Sequence, residues 1–167
     1  MSINIKKKKK IVDEIKNISK KALSAVIANP KKINSNKINI LRKKARKNNI
    51  TIKVIKNTLL KKAISKTQFE CLQKKLKKFT LIAYSIKNPG SAAKLLYSFS
   101  KKNKTFKIKG AAFEGKFISA KKIKKLAAIP TFKEAIQKLI YIIKEASISK
   151  LVRVIMSIKN KKENNNN

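Results

Sequence analysis

Apolar positions along the chain change period several times, and each change marks an element. Ile11, Val12, Ile15, Ile18 and Ala22 recur at helical spacing and share one face. Ala22 to Ala28 (ALSAVIA) is a short unbroken apolar run that ends at Asn29-Pro30, which predicts a buried strand. Ser35 is then placed to cap a helix that turns Ile38, Leu41 and Ala45 inward, and Asn48-Asn49 ends it. Ile50 to Ile55 (ITIKVI) alternates, so Thr51 and Lys53 share the outward face of a half-buried strand. Asn57 can cap the next helix, through Leu59, Leu60, Ala63 and Ile64, and a short helix follows over Phe69 to Leu76.

Phe79 to Ser85 (FTLIAYS) predicts a third strand, and Asn88-Pro89-Gly90 turns into a helix carrying Ala92, Leu95, Leu96 and Phe99. Phe106 to Phe113 is the fourth strand, with Phe117-Ile118 extending it past Gly115. Ser119 caps a short helix to Ala128 before Pro130 breaks the pattern. The expected order is α-β-α-β-α-α-β-α-β-α. Strands separated by helices predict an α/β (α+β) unit over 1–130, a sheet of parallel or mixed pairing (a mixed β-sheet) covered by helices.

Beyond Pro130 the pattern becomes strongly helical. Thr131 to Glu134 reads TFKE, a capping box, and opens a helix expected to protrude over 131–160. It carries Ile136, Leu139, Ile140, Ile142, Ile143, Ala146, Ile148, Leu151, Val152, Val154, Ile155, Met156 and Ile158, more apolar surface than one helix face needs. A shift of twelve residues superposes Ile136 on Ile148, Leu139 on Leu151, Ile140 on Val152 and Ile143 on Ile155. Twelve residues rise about 18 Å along a helix. That is room for two copies of one small partner, each burying part of the stripe in its groove. A helix folded back onto its own sheet, or lying on a membrane, would require no such repeat. The end, 161–167, is polar and simple, and reads as disordered.

Composition sharpens the choice of partner. The 167 residues carry 45 Lys and Arg against 7 Asp and Glu, a net charge of +38, with 43% hydrophobic residues to build a core. A field of that sign calls for a polyanion, and nucleic acid is the first expectation, through counterion release from neutralised phosphates. Lys, Ile and Asn, the residues of A+T-only codons, crowd the chain, so the sign of the charge says more than its size. Arg occurs only at Arg42, Arg46 and Arg153, and its planar fork suits phosphate better than Lys. Arg42, Arg46, Lys53, Lys56, Lys61 and Lys62 lie on one predicted helix-strand-helix stretch. Asn57 and Thr58 stand at a helix start, where N–H groups favour anions. An ordinary solvated charged face is the competing reading of that stretch.

Several chemistries are excluded. With no His there is no catalytic triad and no His-bound metal. Cys71 is the single cysteine and reads as a buried structural thiol. Asp13 and Glu14 are adjacent and point apart on a helix, so no paired carboxylates are available for acid-base work. Gly110 to Phe117 (GAAFEGKF) matches GxxxxGK, but Phe117 stands where a phosphate loop needs Ser or Thr, and a strand fits better. No cofactor or metal is expected, and no enzyme. The start, MSINIKKKKKIVDEI, lacks the apolar core of a signal peptide, no apolar stretch reaches membrane-spanning length, and a bacterial cytoplasm is the expected compartment.

Taken in order, LRKKARKNNITIKVIKNTLLKKA, FTLIAYSIKNPGSAAKLL, GAAFEGKFI, LAAIPT and KEASISKLVR resemble the bacterial ribosomal protein L-ten family, over about residues 3 to 160. Asn29-Pro30-Lys31-Lys32 and Lys78-Phe79-Thr80 depart from the glycine-bearing turns common in that family. The resemblance implies an N-terminal domain on the stalk-base region of 23S rRNA, beside protein L-eleven. It makes Arg42, Arg46, Lys53, Lys56, Asn57, Thr58, Lys61 and Lys62 rRNA-contact residues. It further implies a C-terminal helix holding dimers of the acidic stalk protein (L-seven/L-twelve), which recruit translational GTPases. On that view Ile136, Leu139, Ile140, Ile143, Ile148, Leu151, Val152 and Ile155 are the stalk-protein contacts, and the repeat sets two dimers. Family members can also repress their own operon. A DNA-compacting architectural protein is the alternative function.

Overall fold

The computed structural model describes residues 5–30, 33–65, 67–77, 79–103, 105–146 and 150–165. They divide into two compact units, Met1–Ile129 and Pro130–Asn167.

The first unit opens with helix α1 (Ile5–Lys21), which takes the Lys6 to Lys10 run into its exposed first turns. Strand β1 (Ser24–Asn29) follows, then α2 (Ser35–Lys47), β2 (Ile50–Val54) and α3 (Asn57–Ile64). After a 3-10 turn over Glu70–Lys75 come β3 (Leu81–Ser85), α4 (Ser91–Lys102) and the hairpin β4 (Lys107–Phe113) and β5 (Lys116–Ser119). A second 3-10 turn leads into α5 (Ile123–Ala127).

The strands form one sheet in the order β2-β3-β1-β4-β5, and every neighbouring pair is antiparallel. The parallel pairing expected from the helical crossovers is therefore not made between neighbours. The connections through α2 and α4 do return the chain in the same direction, but one strand away, while the one through α3 joins the antiparallel neighbours β2 and β3. β1 and β2 bracket β3, and β3 and β4 bracket β1, so two crossover units interleave. The interposed strand runs antiparallel to both of its flanks. β1 at the centre pairs Val26 with Ala83 on one side and Ala111 on the other.

Because β1 and β3 are covered on both faces, all five residues of β3 and the first five of β1 are buried. On one face α2, α4 and α5 deliver Leu41, Ala45, Ala92, Leu96, Ile123 and Leu126 onto Val26, Ala28, Leu81 and Ala83. On the other, α1, α3 and the first 3-10 turn deliver Ile15, Leu60, Ala63, Ile64, Phe69 and Leu72 onto Ala25, Ile27, Ile82 and Tyr84. The period-two register sends alternate residues to opposite cores. Each fully buried Leu or Ile contributes about 2 kcal/mol by leaving water. One buried polar link crosses the second core, where Ser19 Oγ donates to Tyr84 Oη at 3.1 Å.

The GxxxxGK stretch is the β4–β5 hairpin. Glu114 and Gly115, at φ 50° and 73°, make its two-residue turn, and Phe113 faces Lys116 across it. A Cβ on Gly110 would come within 2.6 Å of the Phe117 ring, so the glycine lets that aromatic lie across β4. Gly110 thus serves strand packing and Gly115 the turn, and β5 is a strand of its own rather than the continuation of β4.

Two caps differ from expectation. Asn34, not Ser35, caps α2, its Oδ1 accepting from the Asn36 N–H at 3.2 Å. Lys56, not Asn57, occupies the cap position of α3, and Asn57 is its first helical residue. The Asn57 side chain turns elsewhere, its Nδ2 donating to the Leu76 carbonyl at 3.3 Å.

In the second unit, Thr131 opens α6 (Phe132–Lys144) with both halves of a capping box. Thr131 Oγ1 accepts from the Glu134 N–H at 3.4 Å and Glu134 Oε2 from the Thr131 N–H at 3.1 Å. A π-turn closes the helix at 145–146, and α7 spans Lys150–Asn165. The single helix expected over 131–160 passes through 147–149, which lie outside the described residues. Helix continues to Asn165 through most of the end read as disordered, since no Gly or Pro interrupts it and Lys and Glu favour the helical state.

Candidate nucleic-acid interface and an exposed apolar helix pair

Strand β2 is the last strand at its edge of the sheet, with α2 over one face and α1 and α3 over the other. Arg42 and Arg46 are four residues apart on α2 and therefore neighbours on one helix face. They line a groove of about 490 Å³ together with Ala45 and residues 50–54 of β2, including Thr51 and Lys53. An edge strand presents unpaired N–H and C=O groups, and basic side chains flanking it both guard the edge and offer a polyanion its counter-charge. Lys53 reaches across that edge, its Nζ lying 3.6 Å from Glu14 Oε2 of α1. Both partners are exposed, so the pair is worth at most about 1 kcal/mol and yields easily to a phosphate.

Lys56, Asn57 and Thr58 gather at a second groove, of about 770 Å³, with Val54, Ile55, Phe79 and Thr80. Among the described residues no side chain caps the start of α3. Lys61 and Lys62 line neither groove; both are exposed in the last turn of α3.

The local pattern puts Phe79 in a strand, but β3 begins at Leu81 and Phe79 stands outside it, 65% exposed. Its backbone is held from β4, at a β-bulge. Opposite β1, Ile27 pairs with Gly110 and Ala28 with Ile108, so Lys109 is the extra residue on β4. Its Nζ donates to the Phe79 carbonyl at 3.1 Å, to Thr80 Oγ1 at 3.3 Å and to the Lys77 carbonyl. No local pattern in the sequence signals the bulge, because it is defined only against the partner strand. An aromatic between Lys78 and Thr80 was the available hint.

Cys71 is half-buried, and burial pushes its thiol up from the usual range. No group of three or more potential metal ligands occurs among the described residues, and no described helix is long and apolar enough to cross a membrane.

The second unit presents the opposite surface. Of its residues, Phe132 is 75% exposed and Ile136 40%, and Leu139, Ile140, Tyr141, Ile142 and Ile143 lie between. On α7 Leu151, Val152, Val154, Ile155, Met156 and Ile158 are exposed as well. Leu151, Val154 and Ile155 line a shallow groove with Ala146 and the Lys150 stem. The expected contact Ile148 lies outside the described residues. Arg153, which the sequence left without a role, pairs with Glu145 at the end of α6.

The family model described as ribosomal protein L10 matches residues 3–101. The chain is 52% identical over 163 residues to the large ribosomal subunit protein uL10 of Buchnera aphidicola subsp. Schizaphis graminum, covering 98% of this chain and 99% of the relative. It is 54% identical over 167 residues to that of Buchnera aphidicola subsp. Baizongia pistaciae, at 98% and 99%. The chain belongs to the ribosomal protein L10 family. A more distant uL10, from Erwinia tasmaniensis, is 44% identical over 98% of both chains. As an L10-family protein the chain is a structural constituent of the large ribosomal subunit, without enzymatic activity, and its place is the cytoplasmic ribosome.

Proposed function

We propose that this L10-family chain builds the base of the ribosomal stalk. Its N-terminal unit binds the stalk-base region of 23S rRNA next to protein L-eleven. Arg42, Arg46 and Lys53 hold phosphates along the edge of β2, Lys56, Asn57 and Thr58 do so at the start of α3, and Lys61 and Lys62 add charge beyond. Phosphate contacts of this kind fix position and orientation rather than sequence. The same basic surface would serve repression of the chain's own messenger.

The helices α6 and α7 hold dimers of the acidic stalk protein (L-seven/L-twelve), which in turn recruit translational GTPases. One observation carries this part. A soluble protein does not leave a continuous apolar row exposed along two helices unless a partner covers it. Ile136, Leu139, Ile140 and Ile143 form one module, and Leu151, Val152 and Ile155, with Ile148 by the repeat, form the other. An acidic partner also suits a chain of net charge +38.

Native mass spectrometry of the full chain co-expressed with the acidic stalk protein of the same genome tests the reading. Four bound copies are expected, and none on a chain ending at Pro130, which should still bind the rRNA. No complex with the full chain refutes the scaffold function. Tighter binding to duplex DNA than to the rRNA near physiological salt would favour a DNA-architectural role instead.

A further inference from the structure

We propose that Phe79 is a stacking platform for one unpaired base of the bound RNA, seated in the groove it forms with Val54, Ile55, Lys56, Asn57 and Thr58. The inference rests on the RNA-binding reading above and assigns that site a specific contact.

Three observations converge. Phe79 is 65% exposed at the rim of a groove whose other walls, Val54 and Ile55, are apolar. An aromatic face beside apolar walls suits the flat face of a base. The same groove is lined by Lys56, with Asn57 and Thr58 at the start of α3, so a phosphate can be neutralised next to the place where its base would stack. Charge selects the occupant: an apolar peptide would need no cation in its groove, whereas a nucleotide needs both a cation and a flat apolar surface. Finally, the loop carrying Phe79 is held from two sides. Lys109 Nζ binds the carbonyls of Lys77 and Phe79 and the hydroxyl of Thr80, and Asn57 Nδ2 binds the Leu76 carbonyl. A loop backbone held before binding leaves only the side-chain rotation of Phe79 to be lost on stacking. The volume, about 770 Å³, leaves ample room for a single base.

The test is equilibrium binding of the full chain to the stalk-base segment of 23S rRNA, at several salt concentrations. Phe79→Ala should weaken binding about tenfold at each salt, with the salt dependence unchanged, because stacking releases no counterions. Phe79→Tyr should bind as the wild type does, and Phe79→Leu should lose most of what Phe79→Ala loses. Since the side chain is exposed, all three variants should unfold at the wild-type temperature, so a loss of affinity is not a loss of fold. Unchanged affinity for Phe79→Ala, or Phe79→Leu binding as well as Phe79→Tyr, overturns the stacking role and points to an apolar contact with a neighbouring protein. A wild-type chain that fails to bind this RNA overturns the RNA-binding reading itself.

Discussion

The two units spend similar residues on opposite ends. In the first, Leu81, Ile82, Leu96 and Ile27 are wholly buried between sheet and helices. In the second, Leu139, Ile140, Leu151 and Ile155 are each more than half exposed. Apolar content alone therefore does not separate a core from an interface. What separates them is closure: two cores sandwich the sheet, while α6 and α7 have more apolar circumference than a single covered face can use.

The contrast breaks most visibly in stability. Leu96→Ala, in the sheet-helix core, should cost about 2–5 kcal/mol in denaturant unfolding. Leu139→Ala, on α6, should stay within about 0.5 kcal/mol of the wild type, because it empties no cavity. Equal losses would mean that α6 is part of a core.

A second comparison sets the two edge arginines against the N-terminal lysines. Arg42→Ala with Arg46→Ala should reduce rRNA affinity more than two Lys→Ala changes within Lys6 to Lys10. The double change should also lower the salt slope by about one for each phosphate it leaves without a cation. Equal effects would assign binding to diffuse charge rather than to the groove along β2.

The smallest effect emerges only in alkali. Burial pushes the Tyr84 hydroxyl up to about 12, against which the Ser19 hydrogen bond acts weakly. A folded-state value above the unfolded one means that the folded state keeps the proton longer. Tyr84 thus leaves stability unchanged below pH 10 and subtracts from it progressively between about 10 and 12. Tyr84→Phe should remove that decline, measured as thermal midpoints across the window, while leaving the helical signal of the second unit untouched.

Most of this was legible in the chain itself. The helix faces of Ile15, Leu41 and Leu60, the strands around Val26, Ile52 and Ile82, the break at Pro130 and the Thr131–Glu134 capping box all follow from local periodicity and local chemistry. So does the clustering of Arg42, Arg46 and Lys53, because spacings of four on a helix and alternation on a strand fix which side chains meet. Hidden features were those that depend on a distant partner. Antiparallel pairing follows from which strand slips between two others, and nothing within β1 records that β3 and β4 will flank it. Lys109 is a bulge only in relation to Ile27 and Ala28, so its hold on the Phe79 carbonyl was hidden with it. The cap of α2 moved by one residue because Asn34 and Ser35 are both competent caps.

Interleaving the crossovers also sets a timetable. The central strand β1, complete at Asn29, has one neighbour that ends at Ser85 and another that ends at Phe113. Synthesis runs from the N-terminus, so the central strand is made first and waits longest for its partners. Until Ser85 is available the chain holds an apolar strand with no flank, and until Phe113 one with a single flank, among lysines whose mutual repulsion keeps nascent copies apart. The surplus of positive charge that later meets RNA would then already have a use before folding, as the nascent chain's own protection against aggregation.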